Sequence, residues 1–360
     1  MQPRRKATLT LEDGSCFHGY TFGYDEEATT GEVVFNTAMN GYNESLSDPS
    51  YAHQIMVMTY PHVGNYGVPP RDKDSNGLSK FLESEHIHMH AIVVSDYSYA
   101  YSHWNAVQSL DSWLKEEKVM GLTGIDTRAL TKILRERGSM KGVIVPEGVK
   151  DVPAFKDYNK INIVAEKSPK EVLTYGNGKK KVVLVDCGAK LNIVRNLITP
   201  DTTLIRVPWD YDFTKIDYDG LFISNGPGDP TMCHETIHHL REAFNIGKPI
   251  AGICLGNQLM ALASGAKIFK LKYGHRSHNQ PVRRVGTNSC FITSQNHSFC
   301  VDSSTLSDEW NELYVNLNDG TNEGLIHKEK PFFSVQFHPE ACGGPTDTLF
   351  IFDEFLRSIK

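Results

Sequence analysis

The hydrophobic pattern changes character near residue 180. Before it, apolar positions come in short alternating runs at 7–11, 32–35, 54–59 and 91–96, rich in β-branched or aromatic residues and parted by Gly, Asn and Asp. That is the mark of strands with one buried face. Two helical periods follow. Trp104, Val107, Leu110 and Leu114 recur at spacings of three and four, and a second stretch opens at the cap-competent Asp126, buries Leu130, Ile133 and Leu134 and stops before Gly138. Residues 1–150 therefore read as an N-terminal α+β domain. Pro153, Pro169, Gly176-Asn177-Gly178 and Lys179-Lys180-Lys181 give 151–178 the composition of a linker.

After the linker the runs are continuous and apolar: 181–186, 203–207, 220–224 and 249–253 read as strands buried on both faces. An amphipathic helix with Ile237, Leu240 and Phe244 on one side lies between the third and fourth. This alternation predicts an α/β domain over 179–360 with a doubly wound, mostly parallel sheet. In such sheets ligands sit at the carboxyl ends of strands, here Asn225-Gly226-Pro227-Gly228-Asp229-Pro230 and Gly252-Ile253-Cys254-Leu255-Gly256.

Composition narrows the function. In 360 residues, 40% hydrophobic and 22% charged, there is material for roughly two to three globular domains. Asp and Glu (43) outnumber Lys and Arg (37), so no basic field covers the surface, and neither nucleic acid nor an anionic membrane is an expected partner. Seven cysteines, an odd number without a C-x-x-C pair, fit neither a disulfide framework nor a thiolate zinc site and point to a reducing compartment. The basic start, residues 1–6, leads into a strand-like alternation without an apolar signal core, and the apolar window 249–266 is broken by Asn257, Gln258 and glycines. The expected location is the cytoplasm.

Cys254 sits between glycines after a buried strand and at the start of a helix, the context of a nucleophile elbow. Free N–H groups and the positive end of the helix dipole favour a thiolate there. Such a nucleophile needs a base and a group that orients the base. The strand 332–337 ends in His338-Pro339-Glu340, in which a proline-fixed turn lets the carboxylate hold one imidazole nitrogen while the other faces the thiol. Alone the tripeptide reads as a surface turn; paired with the elbow it reads as a base. Two metal-like patterns compete. His234-Glu235-Thr236-Ile237-His238 fits H-E-x-x-H, and His86, His88 and His90 alternate as on a strand face. The first lacks a nearby third ligand and the second is an ordinary polar face, so no metal is expected.

The set GPGDP, GICLGNQ and FHPE resembles the class I, Cys-His-Glu glutamine amidotransferases over residues 179–360. The stretches 31–67 and 121–144 look like the amino-terminal domain of the carbamoyl-phosphate synthase small-chain family. The resemblance implies that Cys254 attacks the glutamine carboxamide, that His338 is general base and then acid, and that Glu340 holds the imidazole. It implies an oxyanion held by the backbone N–H groups of Leu255 and Gly226, and glutamine contacts from Ser50, Gly228, Gln258, Asn296, Ser298 and Phe299, with Lys190 a neighbour. Ser298 and Asn257 stand where many members have glycine and histidine. Also implied is a carbamoyl-phosphate synthase large subunit that receives ammonia and uses ATP, Mg and bicarbonate. No cofactor is expected on this chain, which carries no Walker A loop. A binding module without turnover and a stand-alone glutaminase are the alternatives. The first ignores the complete triad, and the second leaves residues 1–150 without a role.

Overall fold

The computed structural model describes residues 4–360, so the first three residues of the basic start lie outside the described residues. The chain divides into two compact units, Met1–Lys160 and Ile161–Lys360.

The first unit runs β1 (Lys6–Leu11), β2 (Cys16–Gly23), β3 (Thr29–Asn36), α1 (Tyr42–Ser47), β4 (Gln54–Met58), β5 (His62–Val63), β6 (Ala91–Val93), β7 (Asp96–Tyr97), α2 (Leu110–Glu116), β8 (Met120–Thr123), α3 (Thr127–Arg137) and β9 (Met140–Pro146). Its main sheet closes into a barrel in the order β1-β2-β8-β6-β4-β3-β9, so no edge is left open. The period of two explains the closure: Val33, Ile55, Val57, Ala91 and Val93 join Leu9, Leu122 and Ile144 in one core. Their neighbours Val34, Met56, Met58 and Ile92 join Trp113 and Leu114 of α2 in a second.

The α3 reading holds, with the Asp126 carboxylate accepting the Ala129 N–H at 2.9 Å and Gly138 ending the helix. The preceding helix starts later than its spacing predicts. Val68 and Gln108 form an isolated antiparallel bridge, which spends the backbone of residues 107–108 on another segment. Ser109 then caps α2 at Ser112, leaving Trp104 85% exposed and Val107 60%.

The second unit comprises α4 (Ile163–Lys167), β10 (Leu173–Tyr175), β11 (Lys180–Asp186), α5 (Leu191–Leu197), β12 (Thr202–Pro208), β13 (Gly220–Ile223), α6 (His234–Ile246), β14 (Ile250–Ile253), α7 (Leu255–Ser264), β15 (Lys267–Arg284), β16 (Cys290–Asp302), β17 (Trp310–Asn316), β18 (Asn322–His327), β19 (Phe332–Val335) and α8 (Phe350–Ser358). Its sheet has the order β10-β12-β11-β13-β14-β19-β18-β17-β15-β16. The stretch β12-β11-β13-β14-β19 is parallel and doubly wound. Both faces are covered, which is why its strands read as unbroken apolar runs. Val183, Val185, Leu221 and Ile223 pack with Leu240 and Leu259 of the helices. On the opposite face, Phe222 meets Phe352 and Phe355 of α8.

Two features depart from the sequence reading. Beyond β19 the sheet continues as antiparallel strands, whose polar, mixed sequences carry no clean period. The expected linker 151–178 is structured in its second half. Asn162 caps α4 by accepting the Ala165 N–H at 2.9 Å, Val164 enters the core, and β10 pairs antiparallel with β12. Among the described residues no helix is long and apolar enough to cross a membrane.

Candidate active site

The site is built where the parallel strands β13, β14 and β19 end. Cys254 follows β14 and precedes α7 with φ 54° and ψ −102°, a strained left-handed conformation that turns a strand into a helix within one residue. Two close approaches require its glycines: a Cβ on Gly256 would lie 2.4 Å from the Ile223 carbonyl oxygen, and one on Gly252 would lie 2.8 Å from the Gly256 backbone. The Cys254 N–H donates to the Val335 carbonyl at 2.8 Å, tying the elbow to the strand that carries the histidine. The thiol is buried and donates to the Asn296 carbonyl at 3.7 Å.

His338 is equally buried and hydrogen-bonded by its own N–H to the Ser294 carbonyl at 2.8 Å. Its Nδ1 lies 2.7 Å from Glu340 Oε1, so the carboxylate accepts Nδ1–H and directs Nε2 the other way. Nε2 has no hydrogen-bond partner among the described residues. Lys190, the residue before α5, places its ammonium 3.1 Å from Glu340 Oε1. Burial would raise the Glu340 carboxyl, but Lys190 and His338 hold it down to about 2. Burial and Lys190 oppose charge on His338, yet Glu340 and Cys254 outweigh them and raise the imidazole to about 10. The arrangement is a fixed anion, a histidine that readily keeps a proton and a thiol beside it. It suits nucleophilic attack by sulfur with proton storage on the ring.

Backbone donors complete the picture. Among the described residues, no acceptor takes the N–H of Leu255 or of Gly226. The two residues pack together, since a Cβ on Gly226 would meet Leu255 Cδ2 at 2.7 Å and the Cys187 carbonyl oxygen at 2.3 Å. Paired free N–H groups beside a nucleophile are what a developing oxyanion needs.

Two family profiles match the chain: Carbamoyl-phosphate synthase small chain, CPSase domain, over residues 9–144, and Glutamine amidotransferase class-I over 183–358. The carbamoyl phosphate synthase arginine-specific small chain of Aspergillus oryzae is 48% identical over 99% of this chain and 80% of its own length. The chain belongs to the carbamoyl-phosphate synthase small-chain family. Multifunctional protein CAD of Squalus acanthias is 50% identical over 98% of this chain, which spans only 16% of that protein. Multifunctional protein pyr1-3 of Dictyostelium discoideum is 47% identical over 99%, again spanning a small part, 17%, of the relative.

Of the small-chain residues expected around glutamine, Gln258, Asn296, Ser298 and Phe299 converge on the seam between α7 and β16. Gln258 Nε2 donates to the Phe299 carbonyl at 2.8 Å and to Gln336 Oε1 at 3.1 Å. The Ser298 hydroxyl accepts from the Arg276 guanidinium, so its side chain is engaged within the protein. Asn257 is likewise engaged, donating to Gln336 Oε1 at 3.2 Å and accepting from Ser334 at 2.8 Å. Gly228 lies in a positive-φ turn after β13. Ser50 belongs to the first unit, where its buried N–H donates to the Asp48 carboxylate at 2.9 Å.

Two neighbours escaped the sequence reading: Gln336 knits α7 to β19, and His278 is held down to about 4 by burial, Lys190 and His338. Only the fold brings them there.

The metal-like patterns dissolve. His238 is exposed and pairs with Glu242 at 3.6 Å on the outer face of α6. His86, His88 and His90 lie outside any strand and take separate partners, Glu117, Ser84 and the Thr30 carbonyl.

Proposed function

We propose that this chain is the glutamine-hydrolysing subunit of carbamoyl-phosphate synthase, converting glutamine and water to glutamate and ammonia through a thioester on Cys254. The observation that carries the reading is the buried Cys254–His338–Glu340 constellation at a strained elbow, in a chain of the small-chain family.

Cys254 sulfur attacks the carboxamide carbon with its proton stored on His338 Nε2. The carbonyl electrons move onto oxygen, which the Leu255 and Gly226 N–H groups receive; one such donor is worth about 10²–10³ in rate. His338 returns the proton to the departing nitrogen, ammonia leaves and the thioester remains. Water, deprotonated by the same ring, then releases glutamate and restores the thiol. Glu340 keeps Nδ1 protonated throughout, and Lys190 keeps Glu340 ionised. Gly228, Gln258, Asn296, Ser298 and Phe299 are assigned to glutamine.

The ammonia is destined for a large synthase subunit, where bicarbonate and ATP with Mg are used. This chain needs no cofactor of its own for the hydrolytic step, and the site is cytoplasmic. The test is glutamine turnover by the chain with and without the large subunit, ATP and bicarbonate. Turnover that rises with the partner supports the subunit role. Turnover indifferent to it leaves a stand-alone glutaminase.

A further inference from the structure

Among the described residues, one group of imidazoles and carboxylates converges tightly enough to hold a metal ion: His275, His297 and Glu323, all buried, with their donor atoms within 4.8 Å of one another. They come from β15, β16 and β18, so no sequence motif announces them. His297 lies between Asn296 and Ser298, on the strand assigned to glutamine.

The outer nitrogens of both rings are spoken for. His275 Nε2 meets Asp319 Oδ2 at 2.8 Å, and His297 Nδ1 meets the Phe299 carbonyl at 2.8 Å. Imidazoles that hold metals use their second nitrogen in this way, donating it to a carboxylate or a backbone carbonyl so that the first keeps its lone pair inward. The inward atoms are His275 Nδ1 and His297 Nε2, which lie 3.0 and 3.2 Å from Gln295 Oε1, and Glu323 Oε1 is 3.6 Å from His275 Nδ1. Around a tetrahedral ion with bonds of about 2.0–2.1 Å, ligand atoms stand about 3.3 Å apart. The spacing fits.

Without a cation the arrangement is in conflict with itself. His297 is buried. A neutral imidazole has a single N–H, yet both nitrogens of His297 face oxygen acceptors. Glu323 Oε2 is buried without any hydrogen-bond partner. The Asp319 and Glu323 carboxylates face His275 at 2.8 and 3.6 Å, so the pocket attracts positive charge.

We infer that His275, His297, Glu323 and the Gln295 amide oxygen form a binding site for one borderline divalent cation of the zinc class, behind the glutamine-facing strand. Two imidazoles with oxygen donors suit zinc better than calcium or magnesium. The inference is independent of the glutaminase reading, and its test reads metal instead of turnover.

The experiment is metal content of the full chain purified without chelators, followed by stripping and titration of zinc against a chromophoric chelator. About one zinc per chain is expected. Cobalt(II) in its place should give visible bands of a tetrahedral nitrogen–oxygen site. His275→Asn and Glu323→Gln should each weaken binding at least about tenfold, whereas His238→Asn, on the exposed α6 pattern, should not. No binding by the wild-type chain overturns the inference, and this needs no variant to fold. A cobalt–thiolate charge-transfer band overturns it too, by placing the ion on cysteine.

Discussion

The second unit contains two buried histidine–glutamate pairs with opposite solutions to the same problem. At the end of β19, Glu340 is balanced by a dedicated cation, Lys190 at 3.1 Å, so His338 is free to gain and lose a proton while its partner stays ionised. Among the described residues, no lysine pairs with Glu323 in the β15–β16–β18 cluster. Glu323 and Asp319 lean on His275 itself, at 3.6 and 2.8 Å. A complete ion triad releases its histidine for chemistry, whereas an incomplete one recruits its histidine as structural charge or calls for an ion.

The contrast breaks most sharply at the nucleophile. Cys254→Ala should cut glutamine turnover by about 10⁴-fold or more, measured as glutamate release, while leaving glutamine binding detectable by calorimetry. Next comes Glu340→Gln, which removes the carboxylate that pairs with the buried Lys190 and orients His338. Unfolding by denaturant should show a loss of about 3–5 kcal/mol, with turnover falling in parallel.

The pH dependence of stability should carry both signs. Glu340 is depressed from 4.5 to about 2, so its contribution is full above about 4.5 and disappears as pH falls toward 2. His338 is raised from 6.5 to about 10, so its contribution is full below about 6.5 and is lost as pH rises through 10. Thermal denaturation across pH should therefore decline on both sides, and Lys190→Met should weaken the acid-limb protection of Glu340. The smallest effect belongs to Ser298→Gly. It removes the hydroxyl held by Arg276, worth about 1 kcal/mol, so the glutamine KM should move by less than about tenfold with kcat nearly unchanged.

The parallel half of the sheet was legible because burial on both faces leaves unbroken apolar runs such as 181–186 and 220–224, and the elbow because strand, glycines and helix leave a joint local signature. Less was legible where partners come from far along the chain. Barrel closure in the first unit depends on β1 meeting β9, 130 or more residues away, and the register Leu9↔Ile144 has no local trace. Trp104 and Val107 kept helical spacing but lost their helix to the bridge at Val68. The HExxH pattern on α6 matched in spacing and failed in burial, whereas His275, His297 and Glu323 share a site without sharing a segment.

The most direct test of the central claim is glutamate release by the purified chain and by Cys254→Ser, each with and without the large subunit under ATP and bicarbonate. The account predicts turnover that requires the Cys254 sulfur and rises when the partner is present. Turnover that survives Cys254→Ser would contradict it.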